Sequence, residues 1–228
     1  MPERPRRAIL VCADCEGSRE QIERLREWVG RLGLRVNFFF TGRTAEEFPD
    51  LVRAIAREHS VDSHTFDHPR LRGMDEAAQR AEVRAGRAAV ESVIGRRTHG
   101  FRAPYHAIDR NTVRVLNEEG FAYDLSGLYH RLPMGHVIEL RPTWFREWTE
   151  VYGWLGLPPR FGWDLVRVLL GLADPLVIPL HPHYAGRSDE DAHAMAAFFH
   201  YAHRRGAQTW YVTDYLRATG RWDPGRDR

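Results

Sequence analysis

The stretch NFFFTGRTAEEFPDLVRAIAREHSVDSHTFDHPRL, residues 37–71, carries the strongest information about the fold of this chain. It begins with an apolar run typical of a buried strand, and apolar residues at helical spacing follow. We therefore predict a helix over 44–59 with Thr44 as its N-cap. The residues SVDS then indicate a short strand, which ends immediately before His64 and His68. One strand–helix–strand unit leads directly into two candidate functional residues.

The same alternation of short apolar runs and longer amphipathic segments continues in both directions along the chain. Such regular alternation predicts a parallel sheet, either an open doubly wound sheet or a closed barrel. Seven strand candidates favour a distorted (β/α) barrel, and 228 residues need no second domain, so we predict one catalytic domain over 1–228. The predicted strands are 7–13, 34–40, 60–63, 98–101, 121–124, 175–180 and 207–212.

One region departs from this alternation. Residues 141–163 are rich in tryptophan, proline and glycine, which predicts an aromatic-rich insertion rather than a regular element. Its tryptophans suit stacking on sugar rings or contact with a membrane interface, and covering the hydrophobic core is an equally open reading. They are Trp144, Trp148, Trp154 and Trp163.

Composition excludes several classes of protein. The chain has 33 basic and 31 acidic residues, a net charge of +2, and this near balance argues against nucleic acid as a partner. Two cysteines cannot form a disulfide framework, and the N-terminus shows no apolar signal-peptide core. The longest apolar stretch is interrupted by charges and prolines, so no transmembrane segment is predicted. We expect a cytoplasmic protein, with the inner membrane surface as an alternative location.

Ionisable residues follow five of the predicted strands at the point where each strand ends. Parallel β/α folds place their chemistry at the carboxyl ends of the strands, so these residues are expected to share one site. A solvated surface would instead scatter charges over the helix faces. The residues concerned are Asp14, Glu16, His64, His68, Arg102, Asp124 and His181.

Two imidazoles and one carboxylate are a typical ligand set for a divalent metal ion with open coordination positions. Zinc in such a site supports hydrolysis, because it lowers the pKa of bound water. The same ligand set suits non-haem iron oxygenases, although those sites usually lie in antiparallel jelly-rolls. The helical zinc-protease motif requires Glu after the first histidine, and Thr65 stands there.

The segment VCADCEG contains a C-x-x-C motif formed by Cys12 and Cys15. A redox motif of this kind after a strand is typical of thioredoxin-like proteins. Such proteins do not need the segments HTFDH, FRAPY and LHP that occur later in this chain. We therefore interpret Cys12 as a buried strand residue and Cys15 as a neighbour of the site.

With these motifs in this order, the sequence resembles the NodB-type polysaccharide deacetylases, carbohydrate esterase family 4, from about Ala8 to about Tyr215. The segments NFFFTG and SHTFDHP are its most specific part. The resemblance implies a NodB-like distorted barrel and a metal-dependent deacetylase. A divalent ion, zinc first, is the implied cofactor.

The resemblance also implies a role for each motif residue. Asp14 corresponds to the general base, and Arg102 to the residue that holds it. The backbone N–H of Tyr105 corresponds to an oxyanion donor, and His181 to the general acid. The fourth motif, GFAYDLSG, lacks the Asp-Trp pair of other branches of the family, and Asp124 is a candidate for tuning His181. The implied metal ligands are Glu16, His64 and His68, with Glu16 one methylene longer than the family's common Asp.

The implied substrate is an N-acetylated amino sugar or glycoconjugate. Two alternatives stay open at this point: a metal-dependent hydrolase of linear or cyclic amides outside carbohydrates, and an inactive glycan-binding relative. Neither the substrate nor the oligomeric state follows from the sequence.

Overall fold

The computed structural model describes residues 7–127, 131–143, 170, 172–185 and 188–223. The chain divides into two compact units. The first comprises the described residues of Met1–Ala13, Gly17–Asn37 and Thr143–Arg228, and the second comprises Asp14–Glu16 and Phe38–Pro142.

Strands and helices alternate along the described residues, as the sequence predicts. In chain order they are β1 (Ala8–Cys15), α1 (Arg19–Arg31), β2 (Val36–Phe40), α2 (Gly42–Glu47), α3 (Pro49–Glu58), β3 (Ser60–Ser63), α4 (Glu76–Ile94), β4 (Gly100–Phe101), α5 (Arg110–Glu118), β5 (Tyr123–Asp124), β6 (Ile138–Glu139), β7 (Leu176–Leu180), α6 (Asp189–Arg204), β8 (Gln208–Thr209) and α7 (Val212–Ala218).

Within the second unit, neighbouring strands lie in the order β6-β5-β4-β3-β2. The pairs β3–β4, β4–β5 and β5–β6 are parallel. A hydrophobic core, which includes Leu71, Val83, Phe101, Leu116 and Phe121, packs α4 and α5 against these strands. Phe101 and Phe121 contribute an edge-to-face ring contact with centroids 5.5 Å apart. This packing holds the carboxyl ends of the strands in place.

Within the first unit, β1 pairs in parallel with β7 over Ile9–Ala13 and with β8 at its start. The buried Asn37 side chain joins two elements of this unit: its Nδ2 donates to the Val11 carbonyl at 3.0 Å, and its Oδ1 accepts the Val212 N–H at 3.0 Å. An amide fits here because it satisfies a backbone donor and a backbone acceptor at once.

The prediction of one helix over 44–59 with Thr44 as N-cap is wrong. Two helices, α2 and α3, occupy this stretch. The N-cap of α2 is Thr41, whose hydroxyl accepts the Thr44 N–H at 3.1 Å. Pro49 begins α3, and Phe48 before it leaves helical geometry with φ −125° and ψ 55°. Proline lacks an N–H and disfavours helical geometry in the preceding residue, so the helix must restart there.

The seven predicted strands are all present, with shorter bounds at several ends, and the described residues contain one further strand, β6. Only 141–143 of the predicted insertion 141–163 are described, so the rest of that prediction lies outside the described residues. The single-domain prediction over 1–228 stays a prediction. No helix in the described parts of the chain is long and apolar enough to cross a membrane.

Candidate active site

Four strand ends contribute side chains to the second unit's candidate site. Asp14 lies near the end of β1, His64 directly follows β3, Arg102 directly follows β4, and Asp124 is the last residue of β5. Backbone bonds hold three of these ends in register: the Arg102 N–H donates to the Ser63 carbonyl at 3.2 Å, and the Leu125 N–H donates to the Phe101 carbonyl at 3.0 Å. The predicted clustering of strand-end residues is therefore present in this unit.

Glu16, His64 and His68 form a candidate metal centre. One ligand atom of each lies within 4.8 Å of the other two, and the imidazole centroids of the two histidines are 4.9 Å apart. Burial, and next the charge of Asp14, raises the pKa of Glu16 to about 8. Two acidic groups packed this closely favour a cation between them and the histidines.

The His64 imidazole is held in the tautomer that a metal requires. Its Nδ1 lies 2.6 Å from the Arg102 carbonyl oxygen, and a carbonyl only accepts, so Nδ1 carries the proton. Burial lowers the pKa of His64 to about 3, which keeps the ring neutral. Its Nε2 is buried and has no hydrogen-bond partner among the described residues. The lone pair on Nε2 therefore fits a metal ion, and the Arg102 carbonyl acts as the outer partner that orients the ligand.

The segment between the two histidines is a tight loop, not a helix turn. Thr65 and His68 have φ angles of 63° and 61°, the left-handed region that is costly for side chains with a Cβ. The loop lies against two glycines: a Cβ on Gly86 would meet the Thr65 carbonyl at 2.2 Å, and one on Gly42 would meet the Phe66 ring at 2.3 Å. Glycine at these two positions allows the loop to pack this closely against α2 and α4.

Asp14 and Arg102 form a buried ion pair beside the candidate metal ligands. Arg102 is fully buried, Asp14 is 4% exposed, and Nε of Arg102 donates to Oδ2 of Asp14 at 2.6 Å. Burying two charges is costly unless they are paired and hydrogen-bonded, and this pair meets both conditions. Arg102 and Asp14 are therefore in direct contact, and the role of Arg102 in orienting a general base stays a prediction.

His106 is a site residue that the sequence analysis missed. Its Nε2 lies 3.1 Å from Nη2 of Arg102, and because arginine only donates, Nε2 accepts and the proton lies on Nδ1. Nη1 of Arg102 donates to the Leu125 carbonyl at 3.3 Å. Arg102 is thus held by a carboxylate, an imidazole and a carbonyl. The φ of His106 is 53°, a conformation that no sequence pattern around it predicts.

Tyr105 lies in the 3₁₀ turn Pro104–His106, also with a positive φ of 57°. Tyr105 is 60% exposed, and its ring meets the His68 ring edge-on, with centroids 5.0 Å apart. The turn therefore places this backbone next to the candidate metal ligands, where a backbone donor is predicted. The role of the Tyr105 N–H stays a prediction.

Asp124 is linked through Ser126 to the backbone that precedes Tyr105. Its carboxylate accepts the Ser126 hydroxyl at 2.6 Å and the Ser126 N–H at 3.0 Å, and the Ser126 Oγ accepts the Ala103 N–H at 2.7 Å. This chain of bonds fixes the backbone just before Tyr105. Ser126 was missed by the sequence analysis, although an aspartate two residues before a serine is a known local turn pattern. The role of Asp124 in tuning His181 stays a prediction.

The Asp124→Asn variant is expected to remove part of the pH dependence of stability. Burial raises the pKa of Asp124 from 3.8 to about 7, so between these pH values the folded state binds a proton that the unfolded chain has released. The free energy of unfolding therefore falls as pH rises through this window, by up to about 4 kcal/mol. Urea unfolding of the wild type and of Asp124→Asn at pH 4.5 and 7.5 measures how much the free energy of unfolding changes with pH in each protein. An equal change in both proteins would contradict this prediction.

His181 belongs to the first unit and directly follows β7. Its carbonyl accepts the N–H groups of Tyr184 and Ala185 at 3.0 and 2.9 Å, so the chain turns sharply at this residue. Its ring lies 5.4 Å from that of His183. The role of His181 as general acid stays a prediction.

The two cysteines are free thiols, and both are buried. They are three residues apart in β1, so their side chains point to opposite faces of the strand. Burial, followed by the charges of Glu16 and Asp14, raises the pKa of the Cys15 thiol well above its ordinary value. A protonated, buried thiol is a poor nucleophile, which agrees with the non-redox interpretation.

The sequence is similar to known proteins over about half of its length. Residues 3–123 match the family described as polysaccharide deacetylase. The peptidoglycan-N-acetylglucosamine deacetylase of Bacillus cereus is 30% identical over 89 residues, which are 39% of this chain and 32% of the relative. The chain thus spans about a third to a half of the length of the curated relatives it matches.

Solved structures show a likeness over nearly the whole chain. A Mycobacterium smegmatis protein assigned to the polysaccharide deacetylases has a TM-score of 0.76 at 22% identity, covering 96% of this chain and 93% of that one. A CE4 family pseudoenzyme from Bacillus anthracis has a TM-score of 0.69 at 14% identity, covering 95% and 66%. This likeness shows the fold and confirms the predicted distorted (β/α) barrel.

Proposed function

The chain belongs to the polysaccharide deacetylase family, and from that premise we propose that it hydrolyses the N-acetyl group of an amino sugar or glycoconjugate with the help of a divalent metal ion. The observation that carries the proposal is the Glu16, His64 and His68 cluster with the buried Asp14–Arg102 pair beside it. The neighbouring carboxyl groups of Asp14 and Glu16 would only cost stability if no cation bound beside them, because burial and the charge of Asp14 raise the pKa of Glu16.

Glu16, His64 and His68 are the residues that would hold the ion. Their donor set, two imidazoles and one carboxylate, suits zinc and leaves coordination positions open. The buried Nε2 of His64 fits this assignment, because a buried polar atom without a partner is otherwise unfavourable. A divalent ion held by these residues would act as a Lewis acid toward the acetyl carbonyl.

Two residues of the chain carry out the proton transfers, one as a base and one as an acid. Asp14 takes a proton from the attacking water, whose oxygen forms the new bond to the acetyl carbon. The Tyr105 N–H donates to the carbonyl oxygen as negative charge develops on it. The carbon–nitrogen bond then breaks, His181 protonates the departing nitrogen, and the products are acetate and an amine.

Arg102 contributes without contacting the substrate. By donating to Oδ2 of Asp14, it fixes the direction in which the other carboxylate oxygen can accept a proton. Its carbonyl at the same time orients His64. One buried residue therefore aligns both the base and a metal ligand.

An inactive, glycan-binding relative is the second candidate, since the fold also occurs in a pseudoenzyme. The motif residues named above are all present in this chain, which favours activity. A hydrolase of amides outside carbohydrates shares the same chemistry and differs only in the substrate that it accommodates.

Acetate release from a panel of substrates tests the proposal. The protein loaded with zinc is incubated with N-acetylated amino sugars and their oligomers, O-acetylated sugars and small N-acetyl amines, and acetate is quantified. We expect acetate from at least one N-acetyl sugar, at a rate at least about a hundredfold above the small amines. Acetate only from the small amines would support the non-carbohydrate alternative, and none from any compound despite bound zinc would support the inactive one.

A further inference from the structure

One carboxylate accepts two backbone hydrogen bonds from the loop that carries both candidate metal histidines. Oε2 of Glu82, on α4, accepts the N–H of Phe66 at 3.1 Å and the N–H of Asp67 at 3.0 Å. Both amides lie between His64 and His68. Glu82 thus binds the middle of the loop whose two ends supply the imidazoles.

Two carbonyl groups of this loop accept hydrogen bonds from another helix. The Thr65 carbonyl accepts the Gly42 N–H at 2.9 Å, and the Phe66 carbonyl accepts the Arg43 N–H at 3.2 Å. These two carbonyls therefore bond to the start of α2, whereas the N–H groups of Phe66 and Asp67 bond to Glu82. Removing the carboxylate would leave two loop amides to be satisfied by water.

The loop needs such a restraint because it is strained. Thr65 and His68 both have positive φ, which is costly for residues other than glycine, so the conformation persists only if neighbouring groups hold it in place. His68 is partly exposed and directly follows Asp67, the second amide bound by Glu82. Its imidazole is the ligand whose place depends most on this bond.

We propose that Glu82 is a positioning residue for the metal centre, which sets its affinity by holding the His64–His68 loop in the ligating conformation. This rests on the proposed function only in requiring that the protein binds a metal ion. Glu82 acts through the loop backbone, and it is not one of the three residues within ligand distance of one another.

The test measures zinc affinity, by competition with a chelator, for the wild type, Glu82→Ala and Glu82→Gln. Glutamate, glutamine and alanine are all good helix formers, so α4 itself is preserved. We expect Glu82→Ala to weaken zinc binding 10- to 100-fold, the range typical of lost partners behind a ligand. Glu82→Gln keeps one oxygen acceptor and should restore most of the affinity.

The matched control is Glu76→Ala. Glu76 lies on the same helix, α4, but its carboxylate pairs with Arg80 and not with the loop. The zinc affinity of this variant should stay within about twofold of the wild type. Amide exchange in the metal-free protein supplies a second readout: Phe66 and Asp67 should exchange faster in Glu82→Ala only. Thermal melting of each metal-free variant checks that it is folded.

Three results would count against these proposals, and they can be distinguished from one another. Equal zinc affinity in the wild type and a folded Glu82→Ala would overturn the role of Glu82 and leave the proposed function intact. A wild type that binds no zinc, and no other divalent ion, would overturn the metal-dependent function. A loss of affinity in Glu76→Ala as large as in Glu82→Ala would also contradict the proposal, because the effect would then belong to α4 in general.

Discussion

Replacing His64 and His68 together by alanine is expected to abolish stoichiometric metal binding and to lower deacetylation at least about a thousandfold. The two rings provide two of the three donor groups that lie within 4.8 Å of one another. Glu16 alone cannot hold an ion in competition with water. Elemental analysis of the purified proteins, together with acetate release, measures both effects on the same samples.

A matched pair of exposed histidines controls for the loss of two imidazoles. His136 and His193 are both exposed and lie outside the candidate metal centre, so the double variant His136→Ala/His193→Ala should keep full metal content and activity. Full metal content in the His64/His68 variant would show that the ion binds elsewhere. Lost metal with retained acetate release would defeat the metal-dependent mechanism while keeping the family assignment.

Patterns in the sequence identify the strand ends well, because a buried strand followed by an ionisable residue is a local signal. Asp14, His64 and Arg102 were all predicted in this way, and the second unit brings them together. Local signals are sufficient here because parallel strands end at one edge. Which atom contacts which then depends on the tertiary structure.

Two functional residues were missed by the sequence analysis because their roles depend on contacts between distant segments or on an unusual turn. Glu82 is 16 and 15 positions away from the two amides that it accepts, and on α4 it looks like any other helix-surface glutamate. His106 reaches Arg102 only because two consecutive residues of the turn have positive φ, which side chains other than glycine rarely adopt. Neither feature has a periodicity or a local motif from which to predict it.

The division into α2 and α3 is a different kind of error, since its signals were present in the sequence. Thr41 precedes Gly42 directly after an apolar strand, a normal place for an N-cap, and Pro49 marks a new helix start. The apolar spacing across 44–59 suggested one continuous helix. Periodicity continues across the break because both helices pack their apolar faces inward.

The Asp14→Asn variant is expected to lose deacetylation by about a thousandfold, within the 10²–10⁴ range of general base catalysis, while it retains its metal. Asparagine has nearly the same shape, and its Oδ1 can still accept the Arg102 Nε–H that Asp14 accepts at 2.6 Å. It cannot take a proton from water. Rates at saturating substrate, with metal content measured alongside, separate the base from the ligands.

The control for Asp14→Asn is Asp67→Asn, which neutralises a carboxylate inside the His64–His68 loop that pairs with the exposed Arg43. Exposed ion pairs contribute little to stability, so this variant should keep its metal and most of its activity.

Full turnover in Asp14→Asn would show that Asp14 is not the general base. Loss of metal together with turnover would instead make Asp14 part of the metal centre, since it lies two residues before Glu16 and its charge already raises the pKa of that carboxyl. Lost turnover with the metal in place is the one result that requires a proton acceptor at this position.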